Sequence, residues 1–251
     1  MKGKEGSVVS NAAKGFALAV SMLTILPFFR VHDFFRGING YAVMSYPFVG
    51  ALLGGILYGV YAVLQPYFPA EHLKIMIFFL WVLLTGALHL DGFADTADGL
   101  FVPKERAEAV MKDPHVGGMG MVFTGGFLLL KASALWHLEA LWALPLVLLL
   151  ARTNAVLAIY FYPYIRRTGM ASLAKAELTR PQVILAGVVT VAAALLWSQG
   201  WLLLIGALAV LLPAGRFFVR RLGGFSGDIY GFLIEVTELV LLHLLLAGAV
   251  L

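Results

Sequence analysis

Long apolar runs separated by short polar connections recur along the whole chain. Crossing a hydrocarbon core of about 30 Å at about 1.5 Å per residue takes roughly 20 residues. Six segments approach that length: 41–64, 73–90, 121–138, 142–162, 182–198 and 231–251. A seventh, 201–215, is shorter and ends near Pro213. The pattern predicts an all-α fold, a polytopic membrane bundle of about six to seven spans. The early block "GFALAVSMLTILPFF" is short and contains Pro27, with Lys14 inside its approach and Arg30 and Arg36 beyond it. Basic flanks on both sides suit an interfacial or re-entrant helix better than a span. Its charged start and apolar middle are also those of a signal peptide, but no small-residue cleavage site follows "PFFRVHD", so the block is expected to stay in the mature protein.

Composition agrees with this pattern. Hydrophobic residues make up 61% of the 251 positions and charged residues 13%, with a mean hydropathy of +0.91, far from the balance of an ordinary soluble domain. No long polar stretch leaves room for a separate soluble domain, so residues 1–251 are read as one membrane-embedded domain. The absence of cysteine excludes a disulfide framework, a thiol nucleophile and a Cys-ligated metal.

The net charge of +4 matters less than its distribution. The segments before residue 41, 91–120, 163–181 and 216–230 hold all but three of the 18 Lys and Arg residues, the three being Lys74, Lys131 and Arg152. The opposite connections, "QPYFPAEH", "EALW" and "SQG", have none. The two sets alternate as seven spans from residue 41 require. Because basic residues collect in cytoplasmic loops, segment 91–120 is expected on the cytoplasmic face of an inner membrane.

That segment opens within "HLDGFADTADGLF", residues 89–101, in which Asp91, Asp95 and Asp98 are spaced i, i+4, i+7. On a helix they fall within roughly 60° of arc, on one face. Like charges so close are tolerable if a cation sits among them or their pKa values separate. Oxygen ligands favour a hard cation, Mg²⁺ or Mn²⁺, that shares its shell with a substrate phosphate. The spacing is not that of a Ca²⁺ loop. The plain alternative is a solvated helix end, although carboxylates at the C-terminus of a span would oppose its macrodipole.

Three further features surround this one. "MKDPHVGGMGMV" puts Gly117, Gly118 and Gly120 just before a span, as an anion cradle of backbone N–H groups with Lys112 nearby, or simply as a flexible entry to the membrane. "FYPYIRRTGM" offers Arg166 and Arg167, with Lys175 and Arg180 following, either as membrane anchors or as a phosphate clamp. "GGFSGDIYGFLIEVTELV" carries Asp228 at the start of the last span, with Glu235 and Glu238 one to two turns inside it. Intramembrane charge is expensive and marks function by default. Glu238 with Arg152 or Lys131 forms a candidate buried pair, which could equally serve only to fix helix packing. His243 and the aromatics of the spans read as packing or interface residues.

Carboxylates for a divalent metal, glycine-lined anion sites and arginines at one membrane face point to transfer of a phosphoryl or substituted phosphoryl group. The CDP-alcohol phosphotransferases share aspartates at a membrane edge, but their D-G-x2-A-R signature is absent, since "FADT" follows Asp91 and Gly92. "TGALHLDGFADTADGL", "MKDPHVGGMG" and "GGFSGDIYGFLIEVTEL", with the earlier "TILPFF" and "YPFVGALLGG", closely resemble the cobalamin synthase (adenosylcobinamide-GDP ribazoletransferase) family over nearly the whole chain.

The resemblance implies a Mg²⁺-dependent membrane enzyme that passes a cobinamide-phosphoryl group from adenosylcobinamide-GDP to the ribose hydroxyl of α-ribazole or its 5′-phosphate, releasing GMP. Carried onto this chain, Asp91, Asp95 and Asp98 would hold Mg²⁺ against the pyrophosphate. Lys112, Arg166 or Arg167 would offset charge, and Asp95, Asp98 or Asp228 would take the hydroxyl proton. Pro114 and His115 depart from the small polar and basic residues expected before the glycines. The expected partners are these substrates and the lipid bilayer, with no nucleic acid. A homo-oligomer or association with other cobamide-assembly enzymes is compatible with the sequence. Two rival readings are an ion-coupled transporter, whose Glu238, Arg152 and Lys131 would face a midplane cavity, and a divalent-cation channel with an acidic ring. The enzyme reading instead gathers those charges at the rim beside the aspartates.

Overall fold

A computed structural model describes residues 8–26, 35–166, 168–198 and 200–248. Pro27, Arg30 and Arg167 lie outside the described residues. The helices, in chain order, are α1 (Val8–Leu23), α2 (Ile38–Met44), α3 (Tyr46–Leu64), α4 (Ala70–Leu84), α5 (Leu88–Leu100), α6 (Lys104–Val110), α7 (Gly118–His137), α8 (Leu144–Phe161), α9 (Met170–Glu177), α10 (Arg180–Leu195), α11 (Gly200–Leu222) and α12 (Gly227–Leu246). Among the described residues the only β pairing is an isolated bridge between Tyr164 and Phe225. Five helices, α3, α7, α8 with its preceding 3-10 turn, α11 and α12, are long and apolar enough to cross a membrane, and the bent pairs α4–α5 and α9–α10 raise this to seven if each is one span. The protein is therefore a multi-pass helical membrane protein.

The apolar runs locate the spans, and local backbone chemistry decides where they bend. The run 73–90 is not one helix. Gly86 and Ala87 both adopt left-handed φ, 58° and 54°. The Ala87 amide donates to the Val82 carbonyl and the Gly86 amide to that of Leu83, the paired bonds of a Schellman stop. The chain then turns by 81° into α5. The aspartates thus do not trail off the end of α4. They ride a new helix with Asp91 in its first turn, where the macrodipole favours negative charge.

The run 41–64 is likewise divided, at Ser45, because Pro47 in the first turn of α3 has no amide to continue a helix from α2. The run 201–215 proves longer than expected. Helix α11 continues through Pro213 to Leu222, so its last turns carry Arg216, Arg220 and Arg221. Proline inside a membrane helix is tolerated where neighbours compensate the missing bond.

Helix α8 forms the centre: apart from Arg152, Thr153 and Asn154 its middle is apolar, and nearly every residue from Leu146 to Ile159 is buried, as expected of a core helix. Helix α3 lies directly on it. A Cβ on Gly50 would strike the Leu148 carbonyl, and one on Gly54 the backbone of Pro145. Small residues allow such close backbone approach, which is what holds helices together where lipid is as apolar as the contact. The outer helices expose apolar side chains such as Leu129, Val122 and Ile205, as a lipid-facing surface requires.

Candidate active site

Close packing of α5 on the first turns of α12 creates the site. A Cβ on Gly92 would meet the Asp228 backbone at 2.8 Å, and one on Gly231 the His89 carbonyl at 3.1 Å. Two glycines facing each other therefore bring Asp91 and Asp95 beside Asp228. A second connection adds a cation. The Phe225 amide donates to the Pro163 carbonyl (2.8 Å) and the Ile165 amide to that of Phe225 (2.9 Å). That short bridge places Arg166 so that Nη2 donates to Asp228 Oδ2 at 2.6 Å. Asp95 lies within the repulsive field of Asp91, Asp228 and Asp98, with Arg166 the attractive neighbour. Tyr164, also on the bridge, has its phenol pKa raised by burial, so it stays a neutral hydroxyl at neutral pH. Of the expected arginine pair, Arg166 reaches the site.

Asp98 has a different task from its two neighbours on the same helix. It is buried, and its carboxylate accepts from the amides of Gly117 and Gly120, both at 2.7 Å. The glycine cradle at the start of α7 is real, but it holds the protein's own carboxylate, so Gly117 has no amide left for substrate phosphate. A side chain at either glycine would run into the Asp98 carboxylate, which is why this approach is glycine-rich. Gly118, exposed, makes no such contact. Lys112 is also outside the cluster: exposed, it pairs with Glu108 at 2.6 Å, one helical turn back. His115 and Asp113 order the intervening loop through a backbone and a side-chain bond, and the amide of His115 holds the Asp113 carboxyl below its ordinary pKa. Asp98→Ala is expected to lower stability by about 1–3 kcal/mol for each helix amide left without a partner. Thermal unfolding in detergent should show the loss, and an unchanged midpoint would contradict this role.

Behind Asp91, Arg166 and Asp228 opens a cavity of about 310 Å³. Its mouth carries those three side chains, while its walls are mostly apolar, from Leu23, Ala155, Ile159, Met170 and Ile234. Sequence reasoning singled out neither the cavity nor the polar groups in it, His89, Tyr230 and Tyr46. The one available signal was that His89 directly precedes the acidic block.

The intramembrane charges form a separate cluster. Lys131 donates to Glu235 at 2.6 Å and also to Glu238, and Arg152 donates to the other oxygen of Glu238. All four are buried, between 0% and 4% exposed. Lys131 also lies over the Trp81 ring, 4.1 Å from its centroid. Glu238 pairs with both cations rather than one. The charges do not gather at the rim: Glu238 is ten residues beyond Asp228 along α12, about 15 Å. Two positive and two negative groups close on one another, as a neutral clamp joining α7, α8 and α12.

Among the described residues no group of three or more His, Asp or Glu side chains stands close enough to hold a metal ion. The expected three-aspartate centre is not assembled, because Asp98 is committed to α7. Asp91 and Asp95, one turn apart on α5, have no protein partner among the described residues and lie within each other's field. Two free carboxylates are a donor set that fits Mg²⁺, which commonly takes one or two carboxylates and completes its shell with waters and substrate phosphate.

Fold and site define a multi-pass helical membrane protein with an acidic cleft, backed by one arginine, at the mouth of an apolar cavity. The family model described as "CobS: Cobalamin-5-phosphate synthase" matches residues 15–246. Curated relatives match along most of the chain. An adenosylcobinamide-GDP ribazoletransferase of Desulforamulus reducens is 36% identical over 238 residues, 92% of this chain and 95% of the relative. One of Acinetobacter baumannii is 36% identical over 235 residues, 90% and 94% of the two chains. One of Synechocystis is 40% identical over 178 residues, 65% and 68%. No solved structure matches the chain. The chain belongs to the cobalamin-5-phosphate synthase family, and is thus a membrane-embedded transferase of cobalamin biosynthesis.

Proposed function

We propose that the protein transfers the cobinamide-phosphoryl group of adenosylcobinamide-GDP to the ribose hydroxyl of α-ribazole or α-ribazole 5′-phosphate, releasing GMP, at the cytoplasmic face of the inner membrane. The observation that carries this reading is the meeting of two carboxylates without a protein partner among the described residues, Asp91 and Asp95, with the Arg166–Asp228 pair, beside a largely apolar cavity that Asp91, Arg166 and Asp228 help to line. The 15 basic residues of the segments read as lying on that side support the cytoplasmic placement.

In this reading Asp91 and Asp95 hold Mg²⁺, which when bound neutralises diphosphate charge and polarises the phosphoryl oxygens. Arg166 keeps a second cation beside the transferring group, and its Nε, buried without a protein partner, can donate to a phosphate oxygen. Asp228 anchors Arg166 through Oδ2, which also accepts from Ser226 at 3.2 Å. Its Oδ1 is left to accept the proton of the attacking hydroxyl. A new O–P bond forms to the ribose oxygen, the P–O–P bond to the nucleotide breaks, and GMP leaves with the electron pair.

The test is direct. Purified protein in lipid, given adenosylcobinamide-GDP, α-ribazole and Mg²⁺, is expected to release GMP and form the joined product in equal amounts. Chelating the divalent ion should stop both, and Mg²⁺ should restore them. Absence of GMP release from well-folded protein with all components present would overturn the reading.

A further inference from the structure

The cavity behind the cleft contains polar groups that the protein itself does not use. His89 is 3% exposed and Tyr230 is 6% exposed. Neither ring nitrogen of His89, nor the Tyr230 hydroxyl, has a hydrogen-bond partner, and both residues line the cavity. Buried polar groups are normally satisfied, so unsatisfied ones inside a cavity point to a ligand that completes them. We propose that this cavity is the seat of the acceptor's base, an apolar fused-ring heterocycle with one free ring nitrogen, and that the His89 N–H donates to that nitrogen. The inference rests on the acceptor being an α-ribazole-type nucleoside, as read above.

Size and chemistry exclude the other parts of the two substrates. A volume of about 310 Å³ is at the lower end for small-molecule pockets, enough for a base and its sugar but far too small for a corrin ring with its amide arms. A guanine has more donors and acceptors on its edges than the two unpartnered residues of the buried wall, His89 and Tyr230, can meet, and the rest would face Leu23, Ala155, Ile159 and Ile234, unpaired at a cost. A lipid tail would fill the walls but offer nothing to His89 or Tyr230. A dimethylbenzimidazole is apolar around its edge except for the one bare nitrogen, which matches a largely apolar lining with an imidazole donor.

The arrangement also orients the reaction. With the base against His89, next to Gly231 on α12, the sugar points outward to Asp91 and Asp228 at the mouth, where its hydroxyl must be. Met170, mostly exposed at the start of α9, borders the same cavity and can adapt its shape to the base.

The experiment compares two acceptors in the lipid-embedded enzyme: α-ribazole and the matching indole riboside, in which C–H replaces the free ring nitrogen. Wild-type enzyme is expected to favour α-ribazole by about tenfold or more in kcat/KM, because a site built to bond a group rejects the analogue lacking it. His89→Leu is expected to raise the KM for α-ribazole about tenfold, erase the preference, and leave the KM for adenosylcobinamide-GDP within twofold. His89→Gln, which keeps a donor, should recover part of the preference. Since no protein group bonds to His89, the leucine variant should unfold at an equal or higher temperature. Equal use of both acceptors by the wild type overturns the assignment without any variant, while leaving the transferase reading intact. So does a leucine variant that keeps the preference or weakens both substrates alike. No GMP from the wild type with either acceptor would instead remove the transferase reading, and this inference with it.

Discussion

Glu238→Ala is expected to destabilise the protein by about 3–5 kcal/mol, the cost of stripping a buried ion cluster of its central anion. Glu238 is fully buried and accepts from Arg152 with one oxygen and from Lys131 with the other. Its removal leaves Arg152 with no carboxylate, and Arg152 already has Nε and Nη2 unpartnered. Glu235→Ala should cost clearly less, because Lys131 keeps Glu238 and the Trp81 ring. The double change Arg152→Met with Glu238→Met should recover most of the loss, since it removes a matched pair and leaves Lys131 with Glu235. Unfolding in mixed micelles measures all three. A Glu238→Ala variant as stable as the wild type would show that the four charges do not act as a clamp. In folded Glu238→Ala protein the KM for adenosylcobinamide-GDP should be unchanged, because the cluster lies deeper in the bundle than the cleft, whereas the acceptor KM is expected to shift, since His89 lies in the field of Glu238, Arg152 and Lys131.

The sequence made the spans legible because the hydrophobic signal is long, and each run near 20 residues did become helical. Where it misled, a local backbone device overrode the average over the run. The stop at Thr85–Ala87 is encoded by a single glycine inside "LLTGALHL", and two short hydrogen bonds there turn the chain through 81°. Pro213 misled in the opposite direction, since proline ends helices in water more readily than inside a bundle. In the site, period alone placed Asp91, Asp95 and Asp98 on one face of α5, and that is how they stand. Period cannot tell which of them faces solvent and which faces another helix. Asp98 is taken by amides 19 and 22 residues away. Arg166 is brought to Asp228 across 62 residues by the Tyr164–Phe225 bridge. Such partnerships are tertiary, and one sequence carries no local trace of them.

Asp91→Asn is expected to lower kcat/KM by about a thousandfold or more, equivalent to roughly 4 kcal/mol of transition-state stabilisation. In the proposed reading Asp91 holds the metal and lines the cavity mouth, and an amide is a poor ligand for Mg²⁺ beside a diphosphate. The same change should not harm the fold. Asp91 is exposed on α5 and has no partner among the described residues, so its charge bears on the folded state only through its first-turn position and its repulsion of Asp95. Removing it relieves that repulsion, and the unfolding temperature should hold or rise even though a favourable helix N-terminal charge is lost. Asp98→Asn provides the contrast. It weakens the bonds to Gly117 and Gly120, so activity and stability should fall together. The two variants therefore separate a carboxylate kept for chemistry from one kept for architecture, although both belong to one i, i+4, i+7 ladder. An Asp91→Asn enzyme with near-normal turnover at saturating Mg²⁺ would move the metal away from this face of α5. A variant that lost stability as Asp98→Asn does would make Asp91 structural as well.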